Sequence, residues 1–303
     1  MTGWLRVTGA YRLRLAVLVG AWLMLLVGSA GAVEPRIVTA ENLDQTVASG
    51  SPTTYFDLLK LIFPDLKKPE GKDFEAVAGE TVPVRHIDRE YEEQPLSGTL
   101  KFPVISSLPI KADNQPLLLV HVDVTQKPPE ESVPQVEEYS LLGLFQTGKS
   151  PKLLDLVDIK TDRFNGFWTE RPLLNLTPTT QACLIYHHHF NSNQSYNIIR
   201  LLFVRNQRLQ EILSVAPFSE TSLCFTFASQ AAFRIVPDQP RTYPRVVATV
   251  TLKRKPDPPE CKPRSVGFIR TYRGVWQWDP KKQEYRQVSG NLDKLYKWYE
   301  KYY

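Results

Sequence analysis

Three consecutive histidines, His187-His188-His189, stand out as residues able to do chemistry. On an extended strand alternate side chains share a face, so His187 and His189 would point the same way, at the His-x-His spacing of zinc enzymes built on β-barrels. His121 and Asp123 form a second i, i+2 pair. If the strands carrying the two pairs are neighbours, the four side chains supply three or four ligands for zinc or another transition metal. The competing reading is a pair of strand histidines at the rim of a core. Cys183 and Ile185 precede His187 on the same face, and no glutamate stands near in sequence as a general base.

Asp155, Asp158 and Asp162 surround Arg163-Phe164-Asn165-Gly166. Asp158, Asp162 and Asn165 could chelate a hard cation, or two of the acids could act as the paired carboxylates of a glycosidase. The spacing fits no calcium loop, and a turn carrying solvated acids accounts for it. Gly143-Leu144-Phe145-Gln146-Thr147-Gly148-Lys149-Ser150 matches the phosphate-binding expression G-x-x-x-x-G-K-S. That motif needs a helix to start at the lysine. Here Gly143 lies in an apolar strand, Pro151 follows the serine, and Leu153–Ile159 alternates at strand period, so a hairpin turn is expected and a nucleotide is not. No serine or cysteine sits in a nucleophile motif.

Tyr272, Trp276 and Trp278 fall on one face of a strand, and Trp298, Tyr299, Tyr302 and Tyr303 crowd the C-terminus beside Lys281, Lys282 and Arg286. Such rows stack on sugars or meet a partner surface. The alternative is that Gly274, Trp276 and Trp278 pack beneath a final helix starting at Asn291, whose Leu292, Leu295, Tyr296 and Tyr299 form a matching stripe.

The elements that carry these residues are mostly strands. Apolar alternation over 117–124, 139–145 and 153–159 gives one triplet. A second runs over 182–190, 197–205 and 209–215, with turns at Asn191-Ser192-Asn193 and Asn206-Gln207, and a third over 246–252, 268–278 and 285–288. The lead strands begin near 117, 182 and 246, about 65 residues apart, a repeat of pattern. A mainly-β fold follows: three antiparallel meander units, propeller-like or sandwich-like, with a short N-terminal helical lead-in and a C-terminal amphipathic helix. The lead-in occupies 33–114, with a helix over Tyr55–Phe63 opened by Ser51-Pro52-Thr53, and the antiparallel domain occupies 115–303.

The repeat, with the Trp276-x-Trp278-Asp279 hairpin and Tyr285, resembles FG-GAP-type units of β-propellers in bacterial exported proteins, over residues 117–290. The resemblance implies architecture. The spaced Asp-x-Asp-x-Asp-Gly loops that hold calcium in that family are absent here, so it does not extend to calcium.

The first 32 residues read as an export signal. Arg6, Arg12 and Arg14 precede the apolar run Leu15–Val27, and Ala30-Gly31-Ala32 ends it as a cleavage pattern. Leu15 to Val33 is also long enough to span a bilayer uncleaved, which would anchor the chain; no later segment would span. Export places the protein in the periplasm or outside the cell, away from nucleotide chemistry. Removing the signal takes away three arginines and no acid, so the formal charge falls from +5 to +2, and no nucleic-acid footprint remains. Residues 253–303 keep thirteen Lys/Arg against six Asp/Glu, a basic face suited to anionic glycans, lipid headgroups or the protein's own acidic half. Of the three cysteines, Cys183 lies in a strand, and Cys224 with Cys261 is the pair expected near loops. The function these features point to is a non-catalytic binding or structural module with an envelope protein or polysaccharide as partner. A metal-dependent activity at His121, Asp123, His187 and His189 and a carbohydrate-binding module at Tyr272, Trp276 and Trp278 are the alternatives.

Overall fold

A computed structural model of the chain describes residues 34–67, 80–87, 95–96, 99–101, 104–127, 137–159, 165–238, 242–262 and 264–301. The expected signal at 1–32, Asp162, Tyr302 and Tyr303 lie outside the described residues. No helix among the described residues is long and apolar enough to cross a membrane.

The strand β5 (Gln115–Lys127) is apolar on both faces, and so it is buried on both. Leu118, Val120, Val122 and Val124 face one core, while Leu117 and Leu119 face another. It lies inside a sheet that runs β1 (Arg36–Val38), β4 (Ile105–Ala112), β5, β6 (Glu137–Gln146), β7 (Lys152–Asp158) and β2 (Arg85–His86), with β3 (Thr99–Lys101) also paired to β5. All pairs are antiparallel except β2 with β7. The β4–β5 turn is Asp113-Asn114, both at positive φ (49° and 64°), the mirror-image turn that suits strand twist. The β4–β5 pairing joins the lead-in to the strands that follow, and the 114/115 division falls inside this hairpin.

The helix Tyr55–Ile62 starts on a reciprocal cap: Thr54 Oγ1 accepts the Asp57 N–H at 3.1 Å, and the Asp57 carboxylate accepts the Thr54 N–H at 2.8 Å. It buries Tyr55, Leu58, Leu59 and Ile62 against the outer face of the first sheet. Gly143 on β6 leaves room there, since a Cβ would stand 2.6 Å from the Phe145 ring and 3.3 Å from Ile62 Cδ1. The glycine thus serves packing, and Lys149-Ser150 sits in the β6–β7 turn, as a hairpin requires.

The second sheet runs β17 (Glu284–Gly290), β16 (Phe268–Asp279), β15 (Arg245–Arg254), β14 (Thr226–Val236), β13 (Phe218–Thr221), β11 (Gln194–Arg205), β10 (Gln181–Asn191) and β8 (Asn165–Phe167). β12 (Arg208–Val215) also pairs with β11, and β9 (Leu173–Asn175) with β10. Both β12 and β13 lie on the same side of β11, separated by Ala216-Pro217. The sheet curls from that break until β12 lies alongside β17. Phe203, Phe218, Phe227, Trp276 and Trp278 fill the curl, and the C-terminal helix Leu292–Tyr299 closes it with Leu292, Leu295 and Tyr299. That helix also mends the broken strand. Tyr299 donates its hydroxyl proton to Ser229 Oγ at 2.7 Å, and Ser229 Oγ accepts the Phe218 N–H at 2.7 Å.

A third core, fed by both sheets, lies between them: Leu108, Leu119, Leu142 and Val157 meet Cys183, Ile185, Leu202 and Leu209. All three expected meanders are present as β5–β7, β10–β12 and β15–β17. They occupy two stacked sheets, because β13 and β14 join the second meander to the third. The sandwich-like form of the expectation is the one the sheets take.

Candidate functional site

His121 and Asp123 lie on the β5 face that looks toward the second sheet. His121 is 1 % exposed, and its Nε2 stands 2.7 Å from Ser140 Oγ on β6 and 3.4 Å from Asp123 Oδ1. Ser140 donates its own proton to Asn165 Oδ1 on β8 at 3.2 Å, so the hydroxyl is left to accept from His121 Nε2–H. This fixes the Nε2–H tautomer, and the edge of Phe167 walls the ring at 6.2 Å. The imidazole thus bonds within the first sheet, and the Ser140 hydroxyl proton makes the link to the second. Nδ1 is buried, with no hydrogen-bond partner among the described residues.

His187, one strand over from Asn165, continues the face of Cys183 and Ile185. With His189 it lines a cleft of about 560 Å³ shared with Tyr196, Phe218, Tyr296 and Tyr299. His188 points the other way, its Nε2 2.8 Å from Ser195 Oγ. The structure thus sets His121 beside Asp123, and His187 and His189 along one cleft. Among the described residues no three His, Cys, Asp or Glu side chains gather closely enough to hold a metal ion.

Asp155 and Asp158 do not face each other as paired carboxylates, and the expected chelate of Asp158, Asp162 and Asn165 includes a residue outside those described. Three residues apart on one strand, they look to opposite faces. Asp155 Oδ2 takes Arg85 Nη2 at 2.7 Å and the Leu209 N–H of the second sheet at 2.8 Å. Asp158 Oδ2 stands 3.0 Å from His86 Nδ1. Both carboxylates are buried, where turn acids in solvent were expected.

Tyr272, Trp276 and Trp278 are buried in the curled sheet. A Cβ on Gly274 would come within 2.5 Å of the Trp276 ring and 2.7 Å of Leu292 Cδ1, so the glycine makes the slot that holds the indole under the C-terminal helix. Trp278 packs edge-on to Tyr243 at 4.9 Å, with the Arg205 guanidinium 4.8 Å over its ring. Trp276 and Trp278 thus have no broad face free for a sugar. Tyr272 reaches one surface feature, a cleft of about 550 Å³ lined by Arg270, Lys294, Lys297, Trp298 and Lys301.

Sequence reasoning missed two features. One is the clamp of Arg85, Asp155 and Leu209, for which no local signal exists. The other is the lysine stripe of the final helix, legible in the i, i+3, i+7 spacing of Lys294, Lys297 and Lys301. Cys224 and Cys261 form the expected disulfide, with Cα atoms 5.5 Å apart. Burial pushes the Cys183 thiol up to about 12. Comparison with known protein families, curated proteins and solved structures returns no match.

Proposed function

We propose that this chain is an exported protein that works in the periplasm or outside the cell and acts by binding, not by catalysis, with envelope proteins or polysaccharides as its partner classes. The observation that carries the reading is the Cys224–Cys261 disulfide between two loops, because structural disulfides belong to oxidising compartments. The basic and then apolar leader ending in Ala30-Gly31-Ala32 supplies the route. Binding is favoured over catalysis by the placement of polar groups. His121, Asp155 and Asp158 lie buried in contacts within and between the sheets, whereas the cleft beside the final helix is lined by Tyr272, Trp298 and the cations Arg270, Lys294, Lys297 and Lys301.

The test is fractionation of expressing cells, followed by mass spectrometry of the recovered chain. The expected product begins at Val33, lies outside the cytosol and yields a peptide pair linked through Cys224 and Cys261. A cytosolic chain with an intact leader and three free thiols would sink the reading. An intact leader in the membrane fraction would replace cleavage with anchoring.

A further inference from the structure

Among the described residues, the three most exposed large apolar side chains are Leu223 (83 %), Val266 (83 %) and Ile269 (67 %). All three lie at one end of the curled sheet, where the β13–β14 turn, the β15–β16 loop and the start of β16 come together. There the register runs Phe227, Arg254, Phe268 across three strands. Isolated exposed aliphatics need no explanation, but three at one edge do.

These loops are held in place. The disulfide joins the residue after Leu223 to the β15–β16 loop, and Cys261 Sγ lies 3.8 Å from the Leu223 carbonyl oxygen. Asp257 takes a two-pronged bond from Arg254 at 3.0 and 3.2 Å and the Ser265 N–H at 2.8 Å, which fixes the residue before Val266. The aliphatic side chains are therefore presented on a braced tip.

Cations surround the tip. Lys253 at the end of β15 and Lys255, Lys262 and Arg264 on the loop are exposed and outnumber the loop's exposed acid, Glu260, while Asp257 is buried and already paired. Trp298 packs edge-on to Phe268 at 6.0 Å, which sets the basic cleft beside this end. Within that cleft Arg270, Lys294, Lys297 and Lys301 make no ion pair among the described residues.

We infer that this end of the molecule docks on the surface of an anionic phospholipid bilayer. Leu223, Val266 and Ile269 enter the boundary between headgroups and acyl chains, and the surrounding lysines and arginines meet lipid phosphates. Protruding aliphatics beside basic residues are the side-chain chemistry of interfacial binding. A glycan would instead ask for exposed ring faces, and Trp276 and Trp278 are buried. The inference stands on this surface alone and does not depend on the export reading.

The experiment is co-sedimentation of the full-length protein with vesicles of phosphatidylcholine alone or mixed equally with phosphatidylglycerol. It compares wild type with L223S/V266S/I269S and with K294Q/K297Q/K301Q. Every protein carries the same first 33 residues, so differences between them report the tip. The expected result is stronger binding to the anionic vesicles, weakened by salt and reduced about tenfold or more in each triple variant. Unchanged thermal melts would show that the exposed substitutions leave the fold intact. Equal binding to both vesicle types, or variants that bind like wild type, would overturn the inference. So would retention on an acidic polysaccharide, lost only in the lysine variant, with no vesicle binding.

Discussion

The carboxylate of Asp155 on β7 accepts the amide proton of Leu209 on β12 at 2.8 Å, so a side chain of one sheet satisfies the backbone of the other. Arg85 completes the clamp: its Nη2 holds the same carboxylate and also donates to the Leu209 carbonyl at 3.0 Å. Removing the carboxylate leaves a guanidinium and an amide N–H without their partner in a largely buried layer. Asp155→Ala is expected to lower unfolding free energy by about 3–5 kcal/mol in urea titrations. A loss below about 1 kcal/mol would mean the pair behaves as a surface salt bridge.

The C-terminal indoles are expected to act on stability. Trp276→Ala and Trp278→Ala each empty a large volume between β16 and its neighbours, with an expected cost of about 3–5 kcal/mol. Denaturation midpoints with and without polysaccharide check this. A variant that keeps its midpoint and loses only polysaccharide retention would return the ring to a binding role.

Cys183 is expected to be inert in the native protein. Its thiol is buried and pushed up to about 12, so almost no thiolate exists at neutral pH. Alkylation under non-reducing conditions should label it only after denaturant is added. Native labelling at the denatured rate would mean that the core between the sheets opens readily.

Alkali is expected to unfold the curled sheet. Burial raises Tyr299 to about 12, and burial also raises Tyr285 and Tyr296. A raised folded-state value means that the fold favours the protonated phenol. That stability is therefore fully present below the ordinary value of 10.0 and is lost as pH climbs toward 12. Tyr299→Phe removes one such group and the Ser229 hydrogen bond. It should cost about 1 kcal/mol at neutral pH and flatten the alkaline decline. Parallel curves for variant and wild type above pH 10, followed by tyrosinate absorbance, would contradict this.

Period-two alternation was enough to read the three meanders, because a strand buried on one or both faces must show it locally. The first helix and the Asn206-Gln207 turn were legible from adjacent residues, although the helix is capped by Thr54 with Asp57 and not by Ser51-Pro52-Thr53. The pairing of Cys224 with Cys261 also followed from chain position, as both fall in loops between strands. β14 was not legible: Ala228-Ser229-Gln230-Ala231-Ala232 has little strand preference, and its place comes from the ladder that β15 supplies along its length.

The sequence could show that His121 and Asp123 share a strand face, and likewise His187 and His189, because side-chain alternation is a local property. It could not say that His121 would bond Ser140 and Ser140 in turn Asn165, that Asp155 would reach across to Leu209, or that the final helix would cover Trp276. Those outcomes depend on which sheet faces meet and on how tightly the second sheet curls. Only long-range packing decides such things, through partners dozens of residues apart in the chain.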